Sequence, residues 1–151
     1  RGYPTLLEFP QPYLRMYAKE SVIAEKLHAM VALDLTNSRM KDFYDLWTLA
    51  HLFAFDGIIL TRAIEATFAQ RKTQLPTTPP TALTAVFAEH PAKLAQWQAF
   101  LRRNQLTVDG ASFTQIIADL RTFLWPPLQA LTAQIPFAAM WTPQTQWHEQ
   151  A

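Results

Sequence analysis

With 151 residues, half of them apolar, the chain is long enough for one domain with a buried core and too hydrophobic to be disordered as a whole. A formal charge of +1 gives no overall pull toward nucleic acid, and the lack of cysteine excludes disulfides, thiolate catalysis and zinc–thiolate sites. Three glycines are too few for a sandwich of tight turns, and no apolar run approaches the roughly 20 residues of a membrane helix. A mainly α protein, cytoplasmic and without a membrane partner, is therefore expected.

The opening Tyr3-Pro4-Thr5-Leu6-Leu7-Glu8-Phe9 reads as a strand. A lone strand in a helical chain has unpaired edges, so the sequence is expected to start inside a larger protein. Residues 1–18 then form a strand and extended arm left from a missing lobe. Residues 19–135 form a bundle of about five to six helices, and residues 136–151 an irregular tail.

A first helix is predicted from Lys19 to Leu33, with Val22, Ile23, Leu27, Met30, Val31 and Leu33 on its apolar face. Asn37 or Ser38 is the expected cap of a second, reaching Phe53. Asp56 is the expected cap of a third, Ile58 to Arg71. Leu75–Pro80 reads as a loop, Leu83–Glu89 as a short helix, and Pro91 as the first turn of a helix to Asn104. A last long helix spans Phe113–Ala133. Pro126 and Pro127 inside it are expected to kink or split it.

Two polar clusters stand out. In the second helix, Arg39 precedes Asp42 by three residues and Lys41 precedes Asp45 by four, spacings that put each pair on one helix face. In the first, Lys26 lies beside the buried stripe, next to Glu25. It either snorkels to water or meets an anion. The plainest reading is a set of capped helices with surface ion pairs, each worth about 0–1 kcal/mol. Two carboxylates near a Lys and an Arg would alternatively serve a phosphate-binding or proton-accepting site. His28, His51, His90 and His148 show no metal-ligand spacing, and no metal site is expected from these residues. Arg62, Arg71, Lys72, Arg102 and Arg103 read as solvated surface, with an RNA-facing patch as the alternative.

Glu20-Ser21-Val22-Ile23-Ala24-Glu25-Lys26-Leu27 and Asn37-Ser38-Arg39-Met40-Lys41-Asp42-Phe43-Tyr44-Asp45-Leu46 together resemble the downstream motifs of AbiEii/AbiGii toxin-like nucleotidyltransferases. The Tyr3–Glu8, Ile64–Arg71 and Gln96–Leu101 segments resemble the same family, in the same order. The resemblance implies the C-terminal helical lobe of a polymerase-β-like enzyme. Such an enzyme transfers nucleotide from an NTP to RNA such as tRNA, within a toxin–antitoxin or phage-defence system. It implies that Lys26 contacts the triphosphate, with Glu25, Arg39 and Lys41 also at the nucleotide. Asp42 and Asp45 would shape the site or take a proton from the acceptor hydroxyl. Mg²⁺ would be held by a Gly-Ser and Asp-x-Asp motif in the other lobe, and these 151 residues contain neither motif. The residues alone are therefore expected to be inactive. NTP, RNA, an antitoxin and a second copy of the chain are the expected partners. The competing reading is a stand-alone helical module that binds a protein such as an antitoxin.

Overall fold

The computed structural model describes residues 18–149. The strand expected at residues 3–9, and the arm up to residue 17, lie outside them. Six α-helices follow in chain order: α1 (Ala18–Leu33), α2 (Met40–Leu52), α3 (Gly57–Gln70), α4 (Ala85–Glu89), α5 (Pro91–Arg103) and α6 (Phe113–Ala133). Short 3₁₀ turns at Asp34–Thr36 and Thr81–Leu83 link α1 to α2 and lead into α4. The mainly helical architecture expected from the sequence is what the chain adopts.

Helix boundaries follow local chemistry. Asp56 caps α3 as predicted, its Oδ1 accepting from the backbone N–H groups of Ile58 and Ile59. Pro91 opens α5, with the His90 ring nitrogen accepting from Ala92 N. Ser112 caps α6 by accepting from Gln115 N. The start of α2 departs from expectation. Asn37 is wholly buried, and its Oδ1 accepts from Arg39 N at 2.7 Å. That bond closes a tight Asx turn ahead of the helix instead of capping it, so α2 begins only at Met40.

Helix α1 lies along α3, and α6 runs under α2, α3 and α4. Phe113, Ile116, Ile117, Leu120, Phe123, Leu124 and Leu128 form the inward stripe of α6. Aromatic rings fill the junctions: Phe43 stacks on Phe87 at 5.3 Å, and Trp97 on Phe113 at 4.9 Å.

Two expectations at the C-terminal end are corrected. Helix α6 is one element through Pro126 and Pro127. Pro127 has no N–H to give the Phe123 carbonyl, which is why a split was expected. That carbonyl instead accepts from the Trp147 indole at 2.8 Å, so the missing bond is replaced from outside the helix. The segment expected to be an irregular tail folds as a hairpin, β2 (Ala139–Thr142) and β3 (Gln146–Glu149). Strand β2 also pairs antiparallel with β1 (Phe55–Asp56), placing Phe55 opposite Trp141. Gly57, just after β1, is where the chains approach most closely: a Cβ there would sit 2.5 Å from Phe137 O and 2.7 Å from Ala139 O. Trp141 is buried and donates its indole N–H to the Ala50 carbonyl of α2 at 2.8 Å.

The indole–carbonyl bond predicts a thermodynamic coupling. Trp147→Phe should cost about 1–2 kcal/mol in denaturant unfolding by stranding the Phe123 carbonyl. In a Pro127→Ala background, where the new backbone N–H can serve that carbonyl, the same change should cost measurably less. Equal costs in a double-mutant cycle would show that the bond does not compensate for the proline.

Candidate functional site

Lys26 sits two turns into α1, on the side facing α2. Its residue is buried, and its ammonium meets two carboxylates instead of water: Asp42 Oδ1 at 3.0 Å and Asp45 Oδ2 at 3.1 Å. Three residues separate the two aspartates, so one face of α2 presents both to one ammonium. The snorkelling alternative for Lys26 does not apply.

Arg39 and Lys41 extend the cluster outward. Lys41 Nζ lies 2.6 Å from Asp45 Oδ2, the i,i+4 pair anticipated from spacing. Arg39 Nε lies 3.0 Å from Asp42 Oδ2. That contact is an ion pair by distance without hydrogen-bond alignment, since Asp42 Oδ2 is buried and receives no hydrogen bond among the described residues. On the far side of Lys26, Glu25 Oε1 accepts from Arg71 at 2.6 Å, tying α1 to the end of α3. The six residues singled out from the sequence thus gather at one place, joined by Arg71. Four cations, Lys26, Arg39, Lys41 and Arg71, face three carboxylates, Glu25, Asp42 and Asp45.

The loop before α2 is braced from behind. Lys93 on α5 is buried, donates to the Asn37 carbonyl at 2.8 Å, and lies 5.6 Å from the centre of the Phe87 ring. No carboxylate among the described residues lies within ion-pair distance of it. Lys93 and the buried Asn37 together fix where Arg39 starts. Sequence reasoning missed both roles, because the partners are 56 residues apart.

Two clefts open on either side of the ion cluster and share Arg39. One, of about 300 Å³, is bounded by Glu25, Lys26, His28 and Arg71 with Ala29 and Ala32 behind. The other, of about 560 Å³, lies between the start of α2 and α5. His28 Nε2 pairs with Thr73 Oγ1 at 2.8 Å and its ring stands edge-on to Phe68. Burial, and secondarily the Arg71 cation, push the His28 pKa below its usual 6.5.

A carboxylate cluster invites the question of a divalent metal. Asp42 and Asp45 do not suit one: their oxygens are neutralised by Lys26, Arg39 and Lys41, and no group of three or more ligating side chains occurs among the described residues.

The two segments that carry the sequence resemblance are neighbours in the fold, and comparison with protein families covers both. The family model described as nucleotidyl transferase AbiEii toxin, type IV toxin–antitoxin system, matches residues 1–119. The chain belongs to the AbiEii family. No curated protein and no solved structure matches it. All the ion-cluster residues fall within the matched AbiEii segment. No helix among the described residues is long and apolar enough to cross a membrane.

Stability should separate the inner from the outer ion pairs. Lys26→Met leaves Asp42 and Asp45 facing each other with their buried partner gone, and should cost about 3–5 kcal/mol in urea unfolding. Lys41→Ala, at a side chain 56% exposed, should cost no more than about 1 kcal/mol. Comparable losses would mean that the cluster is solvated throughout. His28 gives a pH signature. With its folded pKa depressed, the unfolded chain binds more protons below 6.5, so stability should fall as pH drops through that value. His28→Gln should flatten the slope in melts between about pH 7.5 and pH 5.5, and an unchanged slope would exclude His28 as its source.

Proposed function

We propose that this chain is the C-terminal helical part of a cytoplasmic nucleotidyltransferase toxin that moves a nucleotide from an NTP to RNA, with tRNA as an acceptor class. The observation that carries the reading is the Lys26 ammonium held between Asp42 and Asp45 at the edge of two clefts, in a chain of the AbiEii family. Desolvating an ammonium and two carboxylates is expensive, and a well-packed apolar trio would hold α1 to α2 as firmly. Charges kept at such cost beside open clefts favour a binding role over a purely structural one.

Within that reading, each side chain has a task set by its position. Nucleotidyl transfer displaces pyrophosphate from the α-phosphorus of the NTP, and negative charge builds on the phosphate oxygens as it proceeds. Preplaced cations that need no reorganisation lower that barrier. Lys26 and Arg39 line the smaller cleft and would bind the triphosphate, while Lys41 lines the larger one beside Asp42. Asp42 and Asp45 hold the Lys26 ammonium in place. They also stand where a carboxylate could take the proton of an incoming acceptor hydroxyl. Glu25 orients Arg71 toward the smaller cleft. Magnesium would enter with a Gly-Ser and Asp-x-Asp lobe, and these residues offer it no site of their own.

The second reading, a helical module that docks on an antitoxin, is compatible with a toxin family. Convergence of Lys26, Asp42 and Asp45 favours the enzyme, because a protein-docking face does not require a desolvated ionic core.

Labelled NTP and RNA test the proposal directly. The 151 residues alone should transfer no label in the presence of Mg²⁺. A protein carrying them together with a Gly-Ser and Asp-x-Asp lobe should transfer it. In that protein Lys26→Ala or Asp45→Asn should each slow transfer by about 100-fold or more. Transfer by this chain alone would overturn the inactivity. Undiminished transfer by Lys26→Ala would overturn the site assignment.

A further inference from the structure

The two clefts beside the ion cluster differ in size and in what lines them. The smaller carries Lys26, Arg71, Glu25 and His28 against a wall of Ala29, Ala32 and Leu33 from α1, with no aromatic ring other than that of His28. The larger, about 560 Å³, has the size of a small-ligand site. One wall is the start of α2, and the other is α5, contributing Gln96, Ala99, Phe100 and Arg103.

Beside Ser38, Lys41 and the Asp42 carboxylate at the α2 end, that lining offers three chemistries. Met40, Ala99 and Phe100 give an apolar floor, and Phe100 is held from behind by Trp97 at 5.8 Å and Tyr44 at 5.9 Å. Arg39 and Arg103, both exposed, place guanidinium groups at the mouth. Between floor and mouth stands Gln96, whose Oε1 is buried and takes no hydrogen bond among the described residues. An acceptor left unmade in this way is costly. A turn about the soft terminal torsion of the side chain would present it to an occupant. A flat apolar face, an N–H edge and a phosphate would satisfy floor, amide and mouth together.

We infer that the α2–α5 cleft seats a nucleoside 5′-phosphate unit, its base on Met40, Ala99 and Phe100, its N–H edge on Gln96 and its phosphate on Arg103. The inference rests on the nucleotidyl-transfer reading and extends it to residues outside the ion cluster. Two sources share this chemistry: the nucleotide part of the incoming NTP, and the 3′-terminal nucleotide of the acceptor strand. Either would lie across the Asp42–Asp45 pair from the Lys26 cleft.

Calorimetric titration of the 151-residue chain with CMP, AMP, ribose 5-phosphate and inorganic phosphate tests the seat. The nucleoside monophosphates should bind at least about tenfold more tightly than the two base-free probes. Gln96→Leu should weaken the monophosphates by about five- to tenfold and leave phosphate unchanged. Arg103→Ala should weaken all four probes, and Arg103→Lys should recover part of the loss. Should Gln96→Leu misfold, the near-isosteric Gln96→Met, which also removes the acceptor without adding charge, carries the same test. No monophosphate binding, equal affinity for phosphate, or a monophosphate affinity untouched at Gln96 would each overturn the inference.

Displacement of bound CMP identifies the source. Displacement by an NTP assigns the seat to the donor, and displacement by an oligoribonucleotide with a free 3′-hydroxyl assigns it to the acceptor. Displacement by neither overturns it. Lys26→Arg separates this inference from the reading beneath it: it keeps a cation between Asp42 and Asp45 but not a compact ammonium at the smaller cleft, so it should slow transfer by at least about tenfold while keeping CMP affinity within about twofold. Normal transfer with normal CMP binding in that variant would refute only the functional reading. A wild-type chain that binds no CMP, beside a two-lobed protein whose transfer depends on Lys26, would refute only the seat.

Discussion

One ammonium group sets the geometry of this molecule's working face. Lys26 leaves α1 on the side where apolar packing is already complete, and only carboxylates from α2 can neutralise it there. The pair Asp42 and Asp45 does so because a helix returns to the same face after three residues. Apolar burial supplies the stability, through α1 on α3 and the stripe of α6, but burial is non-directional. The ionic triangle supplies direction.

A surface bundle with charges spread for solubility would have sent these groups into separate stretches of water. Five side chains instead form a continuous chain of contacts from Lys41 through Asp45, Lys26, Asp42 and Arg39, and the Glu25–Arg71 pair lines the smaller cleft with Lys26 and Arg39. Arg39, Lys41 and Arg71 are exposed, while Asp42 is buried and Asp45 largely so. The cluster therefore presents positive charge outward over a buried anionic core, the polarity that a phosphate-bearing ligand requires.

Local information was readable in the sequence, and non-local information was not. Helix periodicity and short-range spacing revealed α1, α3, α6, the Asp56 cap, and the Arg39–Asp42 and Lys41–Asp45 pairs. The meeting of Lys26 with Asp42 spans 16 residues, and that of Glu25 with Arg71 spans 46. No periodicity encodes such distances, and only the family resemblance pointed to the former. Asn37 was misread because its burial, under Lys93, depends on α5. The continuity of α6 through its prolines was not legible because the donor that replaces the lost N–H is 24 residues downstream. The hairpin had a faint signal in Trp141 and Trp147 on either side of a Pro-Gln turn, too short to displace the reading of an irregular tail. Gln96 entered only within a family-like segment and Arg103 only as one of the surface cations, since their cleft exists only once α5 lies against α2.

The hairpin is also where family likeness and folding unit part company. The match ends at residue 119, inside α6, while Trp141 reaches back from β2 to the carbonyl of Ala50. Ala50 belongs to the helix that carries Asp42 and Asp45 at its other end. The hairpin thus acts as a rear bolt on the lever whose tip bears the two acids. Registration of the chemistry at that tip is shared with a stretch of chain that family likeness does not describe.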